Sequence, residues 1–233
     1  GLLGDFPVFP LEWKDPATQE VSRGFREDGY YPEAVMNFLA LLGWNPGNDV
    51  EIMSKEELIA QFDIHNIQKA GARFDVQKAK WFNQQYLRKK SNAELAEELN
   101  VSNPGLAEKI VELMKDRVDF TKEMLQGVPF LFEVPEKYDE EVASKKWDDL
   151  AKTAMPIIST ALAGVEDFKA VAIHDALFAA LEAAGLKPGK VMQALRLAVT
   201  GEGKGPDLML MMEILGKEET LRRLEKALST LGR

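Results

Sequence analysis

A chain of 233 residues, 45% hydrophobic and 29% charged, is long enough to hide roughly 70% of its unfolded-chain surface, so a folded, soluble protein of one large or two to three small domains is expected. It has no cysteine and only two histidines, His65 and His174, which excludes disulfides, thiolate zinc sites, iron–sulfur clusters, a cysteine nucleophile and multi-imidazole zinc, and suits a reducing cytoplasm. The net charge of -9 argues against an indiscriminate nucleic-acid or membrane binder and leaves room for a local basic surface.

The first 26 residues hold Pro7, Pro10 and Pro16 and short aromatic runs. They read as extended segments around a turn at Asp15-Pro16, because proline forbids a continuous helix. The opening Gly-Leu-Leu-Gly-Asp has no basic region followed by an apolar core, so no signal peptide is expected, and the chain reads as cut from something longer. A helix is predicted from Pro32, with Ala34, Val35, Phe38, Leu39, Leu41 and Leu42 at helical spacing and Gly43 as its C-terminal stop. Two capping boxes follow, Ser54 with Glu57 and Ser91 with Glu94. Further helices are predicted at about 75–89, 105–125, 139–162, 167–184, 188–199, 207–215 and 217–231, separated by glycine and proline breaks. No fixed-period repeat is visible, which argues against a solenoid, and no apolar stretch reaches the roughly 20 residues that span a bilayer.

Covalent chemistry is hard to place. There is no P-loop, no nucleophile elbow, no dinucleotide fingerprint and no metal-spaced acidic cluster. Gly201, Gly203 and Gly205 read as a flexible turn. His174 beside Asp175 reads as a helix-surface or packed core histidine, His65 as a capping or packing residue, and Asp139-Glu140-Glu141 as a solvated first helical turn. The stretch Glu133 to Asp149, with seven acidic and three basic residues, is a candidate domain boundary. Opposed to it is Lys69 to Lys90, with seven basic residues and one acid, interleaved with Phe74, Trp81, Phe82 and Tyr86. This segment reads either as a solvated amphipathic face or as a row of cations for phosphates, with the aromatics seating the helix.

Several separated stretches resemble the bacterial-type glutamyl-tRNA synthetases downstream of their catalytic domain. Phe25 to Trp44 is similar to the family's Gly-Tyr-Leu-Pro-Glu-Ala helix ending in Leu-Leu-Gly-Trp. Phe74 to Leu87 matches its Phe-Asp, Lys, Trp, Asn, Tyr pattern, and Glu112 to Arg117 a shorter one. Leu195 to Gly201, then Gly205-Pro206 and Ile214 to Leu224, match in order and spacing; the weakest stretch lies between about 133 and 190. The resemblance implies a mainly α fold with a short extended N-terminal region: a stem-contact fold over residues 1–90, then two α-helical anticodon-binding (helical cage) domains over 91–137 and 138–233. It implies that the chain binds glutamate tRNA, acts as a monomer in the cytoplasm, and has no DNA or membrane partner. The family's nucleotide signatures are absent, so catalysis, with its ATP and magnesium, belongs to the full-length ligase, and no cofactor or metal is expected here.

Carried over by motif, Arg117 aligns with the arginine that reads the third anticodon base, and Arg196, Gly205, Pro206 and Leu208 fall in the stretch around the other anticodon bases. Gly205 stands where some relatives carry threonine, so only its backbone can make a contact. Leu208 also fits a core residue, Pro206 a helix start and Arg196 a surface cation. Lys78, Lys80, Arg88, Lys89 and Lys90 are the candidate phosphate contacts. The competing reading is a non-catalytic helical protein-interaction scaffold.

Overall fold

The computed structural model describes residues 6–7, 9–69 and 74–232. The opening Gly-Leu-Leu-Gly-Asp and Arg73 of the basic segment lie outside the described residues. The described residues form thirteen α-helices and two short strands, in two compact units, 1–125 and 126–233. The mainly α expectation holds.

In the first unit, β1 (Trp13–Lys14) pairs antiparallel with β2 (Val21–Ser22), Trp13 opposite Ser22. The Asp15 side chain closes the intervening turn by accepting from the amides of Ala17 and Thr18 at 2.7 and 3.1 Å, as short acidic side chains do where the backbone turns. After the one-turn α1 (Phe25–Asp28), Gly29 takes φ +93, a left-handed value that glycine adopts without steric cost. Then come α2 (Pro32–Gly43), α3 (Lys55–Gln61), α4 (Val76–Lys89), α5 (Asn92–Leu99), α6 (Pro104–Met114) and α7 (Thr121–Gln126). Both predicted capping boxes form, at Ser54–Glu57 and Ser91–Glu94. The core joins Phe25, Tyr30, Ala34, Phe38, Ala79, Phe82 and Phe120, so α2 lies against α4 with the Phe38 and Phe82 rings 5.8 Å apart.

The second unit holds α8 (Glu140–Lys146), α9 (Asp149–Ala163), α10 (Ala170–Ala183), α11 (Pro188–Thr200), α12 (Leu208–Leu215) and α13 (Lys217–Leu231). Its interior is aliphatic: Ile158, Leu162, Ile173, Leu177, Leu181, Leu195, Met211 and Leu224 are buried.

Two predicted helices are broken. The one expected over 105–125 stops at Met114 and restarts at Thr121. Across the gap, Asn83 Nδ2 donates to Asp119 O at 2.7 Å and Gln84 Nε2 to Val118 O at 3.3 Å, while the Glu123 carboxylate accepts from the amides of Asp119 and Phe120. Side chains replace the ladder that a continuous helix would supply. The helix expected over 139–162 is interrupted at Trp147-Asp148, where buried Trp147 ends α8 and Asp148 caps α9 through the Ala151 amide at 2.9 Å. Two adjacent acids after an aromatic favour a new N-terminus over helix continuation.

Candidate nucleic-acid interface

Helix α4 carries four of the five candidate phosphate contacts and Lys90 follows at its C-cap. Asp75 starts the helix by accepting from the amides of Gln77 and Lys78. Phe82, Asn83 and Leu87 are buried and seat the helix. The cations do not form one row. At about 100° per residue, Lys80 stands roughly 200° around the helix from Lys78, whereas Lys89 returns to within about 20° of it. Lys78 pairs with Glu51 at 2.5 Å, and Lys89 lies over the Tyr86 ring, 5.4 Å from its centre. Lys80 instead lines a cavity of about 360 Å³ with Arg23, Lys122, Tyr30 and Phe120. The expectation of a single cationic stripe is therefore corrected to separate groups, set by helical geometry.

The third group lies at the turn from α4 to α5. Arg88 Nη2 donates to Asp116 O at 3.0 Å, and its Nε lies 3.3 Å from the Asp116 carboxylate. Lys90 pairs with Glu98 at 2.8 Å and lies 4.6 Å from the centre of the Tyr31 ring. Lys115 Nζ donates to Lys90 O at 2.5 Å and to Asn92 Oδ1 at 3.3 Å. Arg117 follows directly on Asp116. It is exposed, and its guanidinium has no hydrogen-bond or ion-pair partner among the described residues. Arg88, Lys90, Lys115 and Arg117 thus come together on one corner of the first unit. The sequence reading missed Lys115 and Lys122, because both sit outside the basic segment and only folding brings them beside it.

Two tyrosines of this unit are held neutral. Burial, followed for Tyr30 by the nearby Asp28 charge, pushes both Tyr30 and Tyr31 far above the usual phenol range. The Tyr31 hydroxyl donates to Glu98 at 2.7 Å and lies 2.7 Å from Thr121 Oγ1, which itself donates to Glu98 at 3.0 Å. This fixes the wall beside Lys90.

In the second unit, Arg196 Nη1 donates to Pro206 O at 2.7 Å, so the guanidinium is tied to the turn after α11. Pro206 is buried and Leu208, 4% exposed, is a core residue at the start of α12. Arg196 and Gly205 are half-buried. The glycine turn is packed, which corrects the expectation of a flexible one. A Cβ on Gly203 would meet Val142 Cγ2 at 2.3 Å, and one on Gly201, at φ +81, would meet Lys137 O at 2.8 Å. Thr200 Oγ1 donates to Arg196 O at 2.9 Å and accepts from the Glu202 amide at 3.1 Å, folding the turn on itself. Elsewhere His174 is exposed, 3.0 Å from Asp175 and stacked on Phe178, and Asp139 caps α8, as expected. The expectation of a capping or packing His65 is corrected: His65 is exposed, and Asp63 is the cap, accepting from the His65 amide at 2.9 Å.

The family model described as "Anticodon binding domain" matches residues 78–228, which include every candidate contact. The chain belongs to the anticodon-binding-domain family. A second family model, "tRNA synthetases class I (E and Q), catalytic domain", matches residues 15–81, so the edge of that domain runs through the hairpin, α2 and α3 and into α4. The chain is 47% identical to a glutamate–tRNA ligase of Phocaeicola vulgatus and 46% identical to that of Bacteroides fragilis, with 97% of this chain and 46% of each relative covered. It therefore spans about half the length of the curated relatives it matches. Among solved structures, the glutamate tRNA ligase of Elizabethkingia meningosepticum superposes with a TM-score of 0.93 at 44% identity, covering 97% of this chain and 46% of that one. The resemblance drawn from Phe25–Trp44, Phe74–Leu87 and Leu195–Leu224 thus stands, and the scaffold reading is not favoured.

Proposed function

We propose that this chain is the tRNA-recognition part of a glutamate–tRNA ligase, holding glutamate tRNA while the rest of the ligase attaches glutamate to it. The observation that carries the reading is the anticodon-binding match over residues that bring Arg88, Lys90, Lys115 and Arg117 to one corner of the first unit. Residues 1–90 act as the stem-contact segment, and 91–137 and 138–233 as two anticodon-binding segments. Phosphate contacts come from Lys78, Lys80, Arg88, Lys89 and Lys90, and anticodon contacts from Arg117, Arg196, Gly205, Pro206 and Leu208. In this reading Arg117 offers a planar donor fork to a splayed third base, while the Arg196–Leu208 turn shapes the pocket for the others. ATP with magnesium is used by the whole ligase, as the likeness to class I relatives implies, and no residue of this chain is assigned to either.

A cytoplasmic monomer fits this role; no helix among the described residues is long and apolar enough to cross a membrane. The test is a gel shift of glutamate tRNA against an unrelated RNA of equal length over a salt series. Retarded tRNA with affinity falling as salt rises supports the reading, because phosphate neutralisation releases counterions. Equal retardation of both RNAs, or of neither, returns the chain to a scaffold role.

A further inference from the structure

The second unit buries a cation that the anticodon reading does not use. Arg223 on α13 is 3% exposed. Its Nε donates to Glu219 Oε1 at 2.6 Å, its Nη1 to Val199 O at 2.9 Å and its Nη2 to Glu133 O at 3.3 Å. One planar fork thereby joins three elements: its own helix, the last turn of α11 and the linker that precedes α8. One turn along α13, Lys226 Nζ donates to Pro135 O at 2.8 Å, a second cation on the same linker. Half-buried Tyr138, at the far end of that linker, feels the Arg223 charge.

The linker in turn abuts the glycine turn. The Asp139 amide donates to Gly201 O at 2.8 Å, and the space beside Gly201 that a Cβ would take is filled by Lys137 O and Pro135. Val142, in the first turn of α8, fills the space beside Gly203. The turn that carries Gly205, Pro206 and the Arg196 acceptor is thus pressed between α11 and a linker that Arg223 and Lys226 hold in place. A buried charge with three partners is costly to assemble, and its best-attested use is to specify one arrangement over others. A lysine cannot reproduce it, since a single ammonium cannot serve a carboxylate and two separate carbonyls in the directions a guanidinium fork fixes.

We propose that Arg223 is the positioning residue of the 200–208 turn, setting the linker 133–139 against it, so that loss of the fork loosens the anticodon pocket without removing any group that touches RNA. The part concerning RNA rests on the function proposed above; the part concerning the turn does not. The experiment is Arg223→Lys in the whole chain, with two readouts. Amide hydrogen exchange in the free protein is expected to speed up at least tenfold at Asp139 and Glu202, with α10 amides unchanged. Affinity for an anticodon stem-loop of glutamate tRNA is expected to fall about tenfold, with the salt slope unchanged because no phosphate contact is lost. Unchanged exchange in a folded variant would overturn the proposal, and so would faster exchange with unaltered stem-loop affinity. If the wild type ignores the stem-loop altogether, the functional reading fails while the exchange data still decide the positioning. Should the lysine variant not fold, Lys226→Met and Glu219→Gln replace it: each is expected to show the same local loss at Asp139, several-fold in size, and exchange unchanged in both would equally refute it.

Discussion

The two units solve the same problem with different chemistry. Each carries candidate recognition residues beside a break between helices, and each holds that break with a buried polar side chain. In the first unit the holder is neutral: Asn83, fully buried, accepts from the Tyr31 amide at 2.8 Å and donates to Asp119 O at 2.7 Å, pinning the segment after Arg117. In the second it is a cation, Arg223, which serves two carbonyls and a carboxylate. An amide has one acceptor and one donor group to offer and suits a junction with one N–H and one C=O to satisfy. The groups that face Arg223 are all acceptors, and a guanidinium, with five donors and no acceptor, matches them. The difference extends to the candidates themselves: Arg117 keeps its donors exposed, whereas Arg196, Pro206 and Leu208 commit part or all of their contact area to their own turn.

Breaking either holder should therefore damage its own unit. The largest loss is expected for Arg223→Met, about 3–5 kcal/mol in urea unfolding, because two carbonyls and the Glu219 carboxylate lose a buried partner. Asn83→Ala should follow at about 2–4 kcal/mol, leaving one buried N–H and one C=O unpaired. If both variants unfold the whole chain in one transition at equal cost, the contrast between charged and neutral holders dissolves.

A smaller effect sharpens the comparison within the first unit. Ser91→Ala removes half of a capping box and should cost about 0.5–2 kcal/mol. The Glu94 carboxyl is held below the usual glutamate range, first by the Ser91 hydroxyl and then by the Ser91 amide. A depressed folded-state value means that its contribution is present above the unfolded value and is lost as pH falls through the folded one. Circular dichroism between neutral and acid pH should show α5 fraying as acid is added, with this dependence reduced in the alanine variant. The smallest effect is expected for Lys78→Gln. Its ion pair with Glu51 is largely exposed, so stability should change by less than about 1 kcal/mol.

How far the sequence could be read follows from the range of the forces involved. Local signals were legible: proline at the start of α2, the serine–glutamate boxes and the helical spacing of Phe38 and Leu42 act within a turn or two of backbone. The breaks at 115–120 and 147–148 were not. Gln84 and Asn83 reach the first of them from α4, and nothing at Val118 or Asp119 announces that. The candidate site divides in the same way. Counting cations along one segment finds no Lys115, which is 25 positions from Lys90 and joins it only in three dimensions. Nor can a charge count show that Lys80 faces away from Lys78. The packed character of Gly201 and Gly203 was equally hidden, for a glycine kept small by a neighbour looks in sequence like one kept for a bend.

The central proposal is that the exposed Arg117 reads the third anticodon base. The most direct measurement is the affinity of wild-type chain and Arg117→Gln for glutamate tRNA and for the same tRNA with its third anticodon base changed from cytosine to guanine, at one fixed salt concentration. The wild type should prefer cytosine, and the substitution should remove about 1–3 kcal/mol of this preference, roughly one to two powers of ten in relative affinity. An unchanged ratio, with both affinities lowered equally, would contradict it and reduce Arg117 to a phosphate contact.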